Sequence, residues 1–402
     1  MKIKLSGLKS AFIGIISFGA CFESDFLLNK IKLFDFIGTL CWIVMLLYLI
    51  LNITWRYIKK ESLSIVSQCT IIFIFAILGS TIIREGNLNA SILALGKILI
   101  ITLTLEYVKY NEKNFIILLK TWMYLLLTVI FIDLMTELLF PNGLYKGRIY
   151  ELNWFLGYKT ERAIYSLPLA GIALYLEYLE KKRVTVLWYL LMVIIFFNAW
   201  LSQAMSVCVA YGVLLGGICG INIFCKRKGR ILKKFISIIL NYKFFLLTFF
   251  VFMISIVFLE NITIMKYIAR FTGRSVTFSS RTFIWQACIA RILDNPLIGL
   301  GYMGSSDYIA ITGMRAGTNA HNIVLTLLMT GGFFLLGIYL LIYFLALKNR
   351  YELTRCQLNI LILVYSMIIL GVSSSIFVFS PYSMLFYWIF EYDKNKETNY
   401  KG

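Results

Sequence analysis

The sequence predicts an all-α, polytopic membrane protein with about twelve transmembrane helices and one long extracytoplasmic loop. Three observations support this fold class. The 402 residues are 60% hydrophobic, their mean hydropathy is +0.81, and long apolar stretches alternate with short basic connections. The net charge of +19 does not indicate nucleic-acid binding, because the lysines and arginines lie between apolar spans, where they orient helices. We therefore expect one membrane domain over residues 1–402.

The apolar stretches define the predicted spans. A transmembrane helix needs about 20 mostly apolar residues. On that criterion spans are predicted at 8–22, 35–54, 64–83, 90–108, 115–139, 163–179, 184–201, 204–224, 241–259, 322–347, 358–378 and 382–391. No small-residue cleavage site follows the charged start of the chain, so the first stretch is expected to remain as an uncleaved span. The cysteines fall mostly inside spans, which predicts no disulfide framework.

Lysine and arginine indicate how the spans are oriented. If the N-terminus is cytoplasmic, the most basic connections fall on one side: MKIKLSGLK, WRYIKK, KYNEK, EKKR, CKRKGRILKK, KNRYELTR and DKNKETNYKG. Short cytoplasmic loops are the ones enriched in lysine and arginine. The sequence therefore predicts that both termini are cytoplasmic.

Two segments on the opposite side are longer than simple connections. Residues 140–162 and 260–321 form the predicted outer loops, and a long loop within a compact domain is uncommon unless it is functional. In the second loop, the serines at 279–280 start a predicted short helix, which Asn295–Pro296 ends. We expect 260–321 to contain short helices and to form part of an extracytoplasmic active site.

These outer loops are basic, although outer loops are normally poor in lysine and arginine. The long loop carries Lys266, Arg270, Arg274, Arg281, Arg291 and Arg315, and the shorter loop ends at Arg162. Arginine binds phosphate through paired planar donors, so this enrichment predicts a phosphate or diphosphate site. The alternative is a solvated face with arginine–carboxylate pairs. Asp133 and Glu137, near the outer end of a predicted span, are candidates to pair with outer arginines.

His321 is the only histidine in the chain. It lies where a predicted helix begins, on the same side of the membrane as the arginines. A helix N-terminus disfavours the imidazolium, so the ring is expected to be neutral and able to accept a proton near pH ~7. The competing interpretation is a structural histidine.

Other chemistry has little support in the sequence. No paired-carboxylate motif lies in an outer loop, and a single histidine does not make a zinc site, so neither a metal nor a cofactor is expected. The segment GLGYMG, residues 299–304, follows a helix rather than a strand. We interpret it as a flexible turn and not as a dinucleotide-binding loop.

Residues 281–337 resemble the bacterial O-antigen ligase and polymerase family. The resemblance lies in RTFIWQACIARILDNPLIGLGYMG followed by NAHNIVLTLLMTGGFFLLGIYL. An arginine and a tryptophan precede a proline, which is followed after two residues by a Gly–x–Gly turn, and a His–Asn pair then opens a span. The segment ERAIYSLPLAGIAL at 161–174 resembles the family's earlier arginine segment. The ligase pattern meets Gly332 but finds Leu335 where it has Gly, Thr or Tyr.

The resemblance implies a metal-independent glycosyltransferase of the inner membrane. Its donor would be an undecaprenyl-diphosphate-linked oligosaccharide and its acceptor a glycan hydroxyl. On this interpretation His321 is the general base, while Arg281 and Arg162 hold the diphosphate. Charge alone adds Arg270, Arg274 and Arg315 to that site.

Three functions remain open from the sequence. The leading one is polymerisation of O-antigen or capsule repeat units, which would involve a chain-length regulator as a further partner. The second is ligation of the glycan to lipid A–core in lipopolysaccharide. A flippase or transporter of lipid-linked sugars is a third, but its polar groups would be expected at the membrane midplane. Trp154, Trp285, Tyr150 and Tyr158 are candidates to stack on sugar rings, or else form an interfacial aromatic belt.

Overall fold

The computed structural model describes residues 2–147, 152–224, 281–315, 317–348, 353–375 and 377–401, with the single positions 243, 246, 247 and 250. In these ranges the regular structure is helical, and strand pairing is limited to two isolated bridges in the segment 145–157. The helices are α1 Lys2–Cys21, α2 Asp25–Lys30, α3 Lys32–Ile58, α4 Ile65–Ile83, α5 Leu88–Val108, α6 Glu112–Leu139, α7 Ala163–Lys181, α8 Val186–Leu201, α9 Met205–Phe224, α10 Arg281–Asp294, α11 Ser305–Thr312, α12 Ile323–Leu347, α13 Arg355–Ser373 and α14 Leu385–Lys401. The predicted all-α class is confirmed for this part of the chain.

Seven helices in the described ranges are long and apolar enough to cross a membrane: α3, α4, α5, α6, α9, α12 and α13. Two shorter apolar helices, Leu5–Cys21 and Val186–Leu201, match predicted spans of similar length. The protein is therefore a multi-pass membrane protein, but the expected number of about twelve spans is not confirmed. The predicted span 241–259 and the loop segment 260–280 lie outside the continuous described ranges.

Polar residues in the connections determine where the helices begin. The first turn of a helix has backbone N–H groups without partners inside the helix, and an asparagine or serine side chain can accept from them. Ser64, Asn87, Asn111, Asn322 and Thr354 do this for α4, α5, α6, α12 and α13. The apolar stretches predict the spans, and these caps fix their starting residues.

The helices pack so that the centre of the bundle is closed. α12 lies along α4, α13 lies along α9, and α1 lies against both α3 and α6. The largest fully buried side chains include Trp122, Trp188 and Trp388. The indole N–H of Trp122 donates to Gly14 O at 3.1 Å, and that of Trp188 donates to Ala170 O at 2.9 Å. Burying such large rings with their N–H groups satisfied gives the bundle a rigid core.

Connections predicted to share a side of the membrane meet at the same end of the bundle. At one end, Arg56 donates to the carbonyls of Glu106 and Tyr107, and Glu391 accepts from Val66 N at 2.8 Å. The other end of α4 lies 19 residues along the helix, about 28 Å away at ~1.5 Å per residue. There Arg84 Nε donates to Gly299 O at 3.0 Å, so the connection after α4 meets the turn after α10. The predicted alternation of connections is therefore consistent with how the helices pack.

α12 is broken near its middle, and the turn after α10 fills the break. Gly331 and Gly332 have non-helical backbone angles, with φ +63° at Gly332. Leu300 N donates to Met329 O at 2.7 Å, and Phe333 N donates to Pro296 O at 2.8 Å. The backbone groups that the break frees are thus paired with the turn. GLGYMG is a turn as predicted, but it is packed into a helix rather than free to move.

Candidate functional site

A cavity of about 360 Å³ opens at the end of the bundle where connections predicted to lie outside meet. Its wall is formed by the ends of α1 and α2, the segment before α7, the turn between α8 and α9, the start of α10 and the residues before α12. The polar residues lining it include Glu23, Asp25, Tyr158, Lys159, Glu161, Gln203, Arg281, Asn319, His321 and Ser374. The two predicted outer loops, 140–162 and 260–321, therefore contribute to one cavity.

His321 reaches this cavity from a strained backbone position. Its φ is +49°, in the left-handed region that few residues other than glycine adopt. Its backbone N–H donates to Asn319 Oδ1 at 2.7 Å. The next residue, Asn322, starts α12 by accepting from Val324 N and Leu325 N. The histidine is thus held between two asparagines rather than carried on a loose loop, and strain of this kind is typical of functional positions.

Trp285, on α10, holds the segment that carries His321. Its side chain is 3% exposed, and its indole N–H donates to Ala320 O at 2.9 Å. Ala320 immediately precedes His321, so α10 and the histidine segment are tied together. Because the ring is buried and absent from the cavity wall, the prediction that Trp285 stacks on a sugar is not supported. Its contact instead makes it a support for His321.

Arg281 is the first residue of α10 and lines the cavity. Lys159 and Tyr158 lie on the cavity wall formed by the other outer loop, with the lysine ammonium 5.5 Å from the centre of the Tyr158 ring. Positive charge therefore enters the cavity from both outer loops. Among the described aromatic residues that were considered for sugar stacking, Tyr158 lies on the cavity wall, whereas Trp154 and Trp285 do not.

Arg162 does not line the cavity. Its side chain is 1% exposed, forms an ion pair with Glu137, and lies 3.6 Å from Asp133 Oδ2. It also donates to Asn198 O at 2.9 Å. The prediction that Asp133 and Glu137 pair with an outer arginine is confirmed. The guanidinium is buried beside these two carboxylates and does not reach the cavity, so its contacts give no support to Arg162 as a diphosphate ligand.

This buried cluster secures the wall of the cavity. Asp133 Oδ1 accepts from Leu156 N at 3.0 Å, and the Arg162 guanidinium lies 5.6 Å from the centre of the Trp154 ring. Trp154 is 5% exposed and donates its indole N–H to Phe140 O. Trp154 is therefore part of the support and not a surface for a sugar ring.

The remaining predicted site residues lie elsewhere. Arg315 is exposed and is not part of the cavity wall. Tyr150, Arg270 and Arg274 fall outside the described residues. Of the five predicted diphosphate ligands, the structure thus brings Arg281 into the same cavity as His321.

Three carboxylates on the cavity wall were not anticipated from the sequence: Glu23, Asp25 and Glu161. Glu23 forms an ion pair with Lys97. Burial, together with the nearby carboxylates of Asp25 and Glu23, raises the pKa of the Glu161 carboxyl to about 8, while its bond from Tyr158 N and the charge of Arg162 oppose the rise. The predicted alternation of spans puts residues 23–25 on the outer side. That position could have identified Glu23 and Asp25 as candidates. The cavity is therefore lined by acidic as well as basic side chains.

The raised pKa of Glu161 predicts a pH dependence of stability. The native state keeps a proton on this carboxyl up to pH ~8, whereas the unfolded chain loses it near pH ~4.5, so the free energy of unfolding falls as pH rises through that window. Glu161→Gln stays neutral and is expected to flatten the fall. The measurement is the thermal midpoint in detergent from about pH 5 to about pH 9. Glu180→Gln, at an exposed ion pair with Lys120, is the control and should keep the wild-type slope. An unchanged slope in Glu161→Gln would show that Glu161 is ionised throughout.

Residues 159–340 match a family model described as O-antigen ligase. The match begins at Lys159 in the cavity wall and extends through the broken helix α12, so it includes Arg281 and His321. No curated protein and no solved structure shows significant similarity to the chain. The resemblance seen in the sequence is confirmed by this match over residues that contribute to the cavity.

Proposed function

We propose, from the match of residues 159–340 to a family model described as O-antigen ligase, that the protein is a membrane glycosyltransferase acting at the cavity. Its donor is a glycan on undecaprenyl diphosphate, and its acceptor is a sugar hydroxyl. The reaction takes place on the extracytoplasmic side of the inner membrane, with both termini in the cytoplasm. The leading product is a polymer of O-antigen or capsule repeat units.

The observation that supports this proposal most is the shared cavity of His321 and Arg281. The two residues are 40 positions apart in the chain, yet the Trp285 bond to Ala320 joins their segments. An imidazole and a guanidinium on one wall provide a proton acceptor and a paired donor for phosphate oxygens. Those are the two chemical needs of transfer from a diphosphate leaving group.

In the proposed step the acceptor oxygen attacks the anomeric carbon of the donor sugar. A carbon–oxygen bond forms there while the bond to the diphosphate breaks, and the diphosphate leaves with the electron pair. His321 takes the acceptor proton. Arg281 and Lys159 stabilise the charge that develops on the departing phosphate, and such fixed charges act strongly where water is restricted. Glu23, Asp25 and Glu161, which also line the cavity, offer acceptors for sugar hydroxyls.

The position of the cavity favours an enzyme over a transporter. It lies among connections at one end of the bundle and includes the turn between α8 and α9. Transporters of known design bind their substrate near the midplane between helix repeats. The alternative enzyme, an O-antigen ligase that uses lipid A–core, has the same donor chemistry and differs in its acceptor.

Transfer by the purified protein tests the proposal. The assay mixes the protein in detergent or nanodiscs with a lipid-diphosphate oligosaccharide, in the presence of a chelator, and separates the products by size. A ladder of longer lipid-linked glycans supports polymerisation, and product only when lipid A–core is added supports ligation. No glycan transfer with either acceptor would contradict the proposed activity.

Replacing Arg281 tests how the diphosphate is held. Arg281→Lys is expected to impair transfer nearly as much as Arg281→Ala, because lysine keeps the charge but loses the paired planar donors. The change should lower kcat as well as raise the KM for the lipid-linked donor, because the proposed role of Arg281 is both to bind the diphosphate and to stabilise the charge that develops as it leaves. Arg291→Ala is the matched control, since Arg291 is exposed on the same helix and pairs with Asp294 at 3.7 Å. Near-normal activity of Arg281→Lys would mean that position 281 supplies only general positive charge.

A further inference from the structure

Asn319 lies on the cavity wall but has no role in the proposed transfer step. It precedes His321 by two residues. Its side-chain oxygen accepts two hydrogen bonds, from His321 N at 2.7 Å and from Ser375 Oγ at 3.0 Å. The first of these bonds closes a tight turn around Ala320. The second ties that turn to the segment that follows α13.

The backbone at His321 needs such a bond. With φ at +49°, a residue bearing a Cβ keeps this conformation only where the surrounding contacts hold it there. Asparagine side chains stabilise turns of this kind by accepting from the N–H two residues on. The bond from His321 N therefore holds the histidine in a conformation that determines where its ring points.

The surrounding contacts show that the segment is fixed on several sides. Trp285 holds Ala320 O, and Asn322 caps α12 while its amide donates to Val372 O at 3.4 Å. Asn319 differs from these two in bonding to the backbone of His321 itself. Its second partner, Ser375, lies on a segment packed beside the cavity, where Ser374 contributes to the wall.

We propose that Asn319 is a positioning residue, which holds His321 at the angle needed for proton transfer and couples it to the segment after α13. This inference rests on the proposed role of His321 as general base. Asn319 itself need not contact the substrate. A reacting group displaced by about 1 Å can lose about 10²-fold in rate, so the effect of removing this bond should appear in turnover.

The test compares three substitutions at the two partners. Asn319→Leu keeps the side-chain size but removes the acceptor, and it should lower kcat about 10²-fold with little change in the donor KM. Asn319→Asp retains an oxygen in the same place and should restore most of the turnover. Ser375→Ala removes only the second bond and should give a smaller loss than Asn319→Leu. Ser375→Ala removes a single hydroxyl and is expected to fold. It therefore still tests the proposal if Asn319→Leu does not fold.

A double substitution separates positioning from general structural support. In a His321→Ala background, Asn319→Leu should cause no further loss of transfer, since the residue acts through the histidine. Equal impairment of Asn319→Leu and Asn319→Asp, or a full additional loss in the His321→Ala background, would overturn the proposal. So would wild-type turnover in both Asn319→Leu and Ser375→Ala. A different result would contradict the proposed function itself. That result is transfer of glycan by His321→Ala at the wild-type rate.

Discussion

Gly332→Ala is expected to prevent the protein from accumulating in a folded state. At φ +63° and ψ −160°, Gly332 has a backbone conformation essentially restricted to glycine. A Cβ at this position would lie 2.3 Å from the backbone carbon and oxygen of Leu297. The turn that fills the break in α12 would have to move, and the bonds from Phe333 N and Phe334 N to that turn would be lost.

The size of this effect follows from where the break lies. Backbone strain contributes about 1–3 kcal/mol and overpacking about 1–3 kcal/mol, before any buried N–H group is left without a partner. A membrane interior offers no water to satisfy such groups. The total is comparable with the whole stability of an ordinary domain, about 5–15 kcal/mol.

Gly337→Ala provides the matched control in the same helix. A Cβ at Gly337 meets nothing within 4 Å, so alanine should be tolerated and should favour the helix. The comparison is membrane yield and thermal midpoint in detergent for the two variants. If Gly332→Ala matched Gly337→Ala in yield and midpoint, the turn would not be seated in the break as described.

Much of this fold is predictable from the sequence, because length and hydropathy determine where helices can cross a membrane. The stretches 64–83, 90–108 and 322–347 lie within one or two residues of α4, α5 and α12. The break at Gly332 was not predictable in that way, since the stretch is apolar throughout and its periodicity carries no mark of the turn that enters it. A close backbone approach is visible only in three dimensions.

The candidate site was also predictable in part, but from residue type and motif position and not from hydropathy. His321 and Arg281 were singled out by residue type and position in a motif, and the structure places both on one cavity wall. Arg162 was chosen by similar reasoning, yet its guanidinium is buried against carboxylates from α6. Charge in the sequence shows which residues can bind an anion, but not which are already paired.

The two tryptophans illustrate a further limit. Trp154 and Trp285 were candidates for sugar stacking because aromatic rings in outer loops suit that role. Both are buried and donate their indole N–H groups to backbone carbonyls. Composition cannot distinguish a ring that faces a ligand from one that supports the residues beside it.

The second large effect is expected at the histidine. His321→Gln keeps a polar side chain of similar reach but cannot accept the acceptor proton, so turnover should fall by about 10²- to 10⁴-fold. Binding of the lipid-linked donor should not change, because a base acts on the acceptor during transfer. A structural histidine predicts the opposite pattern, with glutamine tolerated and alanine lowering thermal stability.

Parallel assays of His321→Gln and wild type test the central claim most directly. Purified protein is given a labelled lipid-diphosphate oligosaccharide, and both bound donor and transferred glycan are measured under the same conditions. We expect wild-type donor binding with transfer reduced at least about 10²-fold. Near wild-type transfer by His321→Gln would contradict the assignment of His321 as the general base, and a matching loss of donor binding would place His321 in the diphosphate site instead.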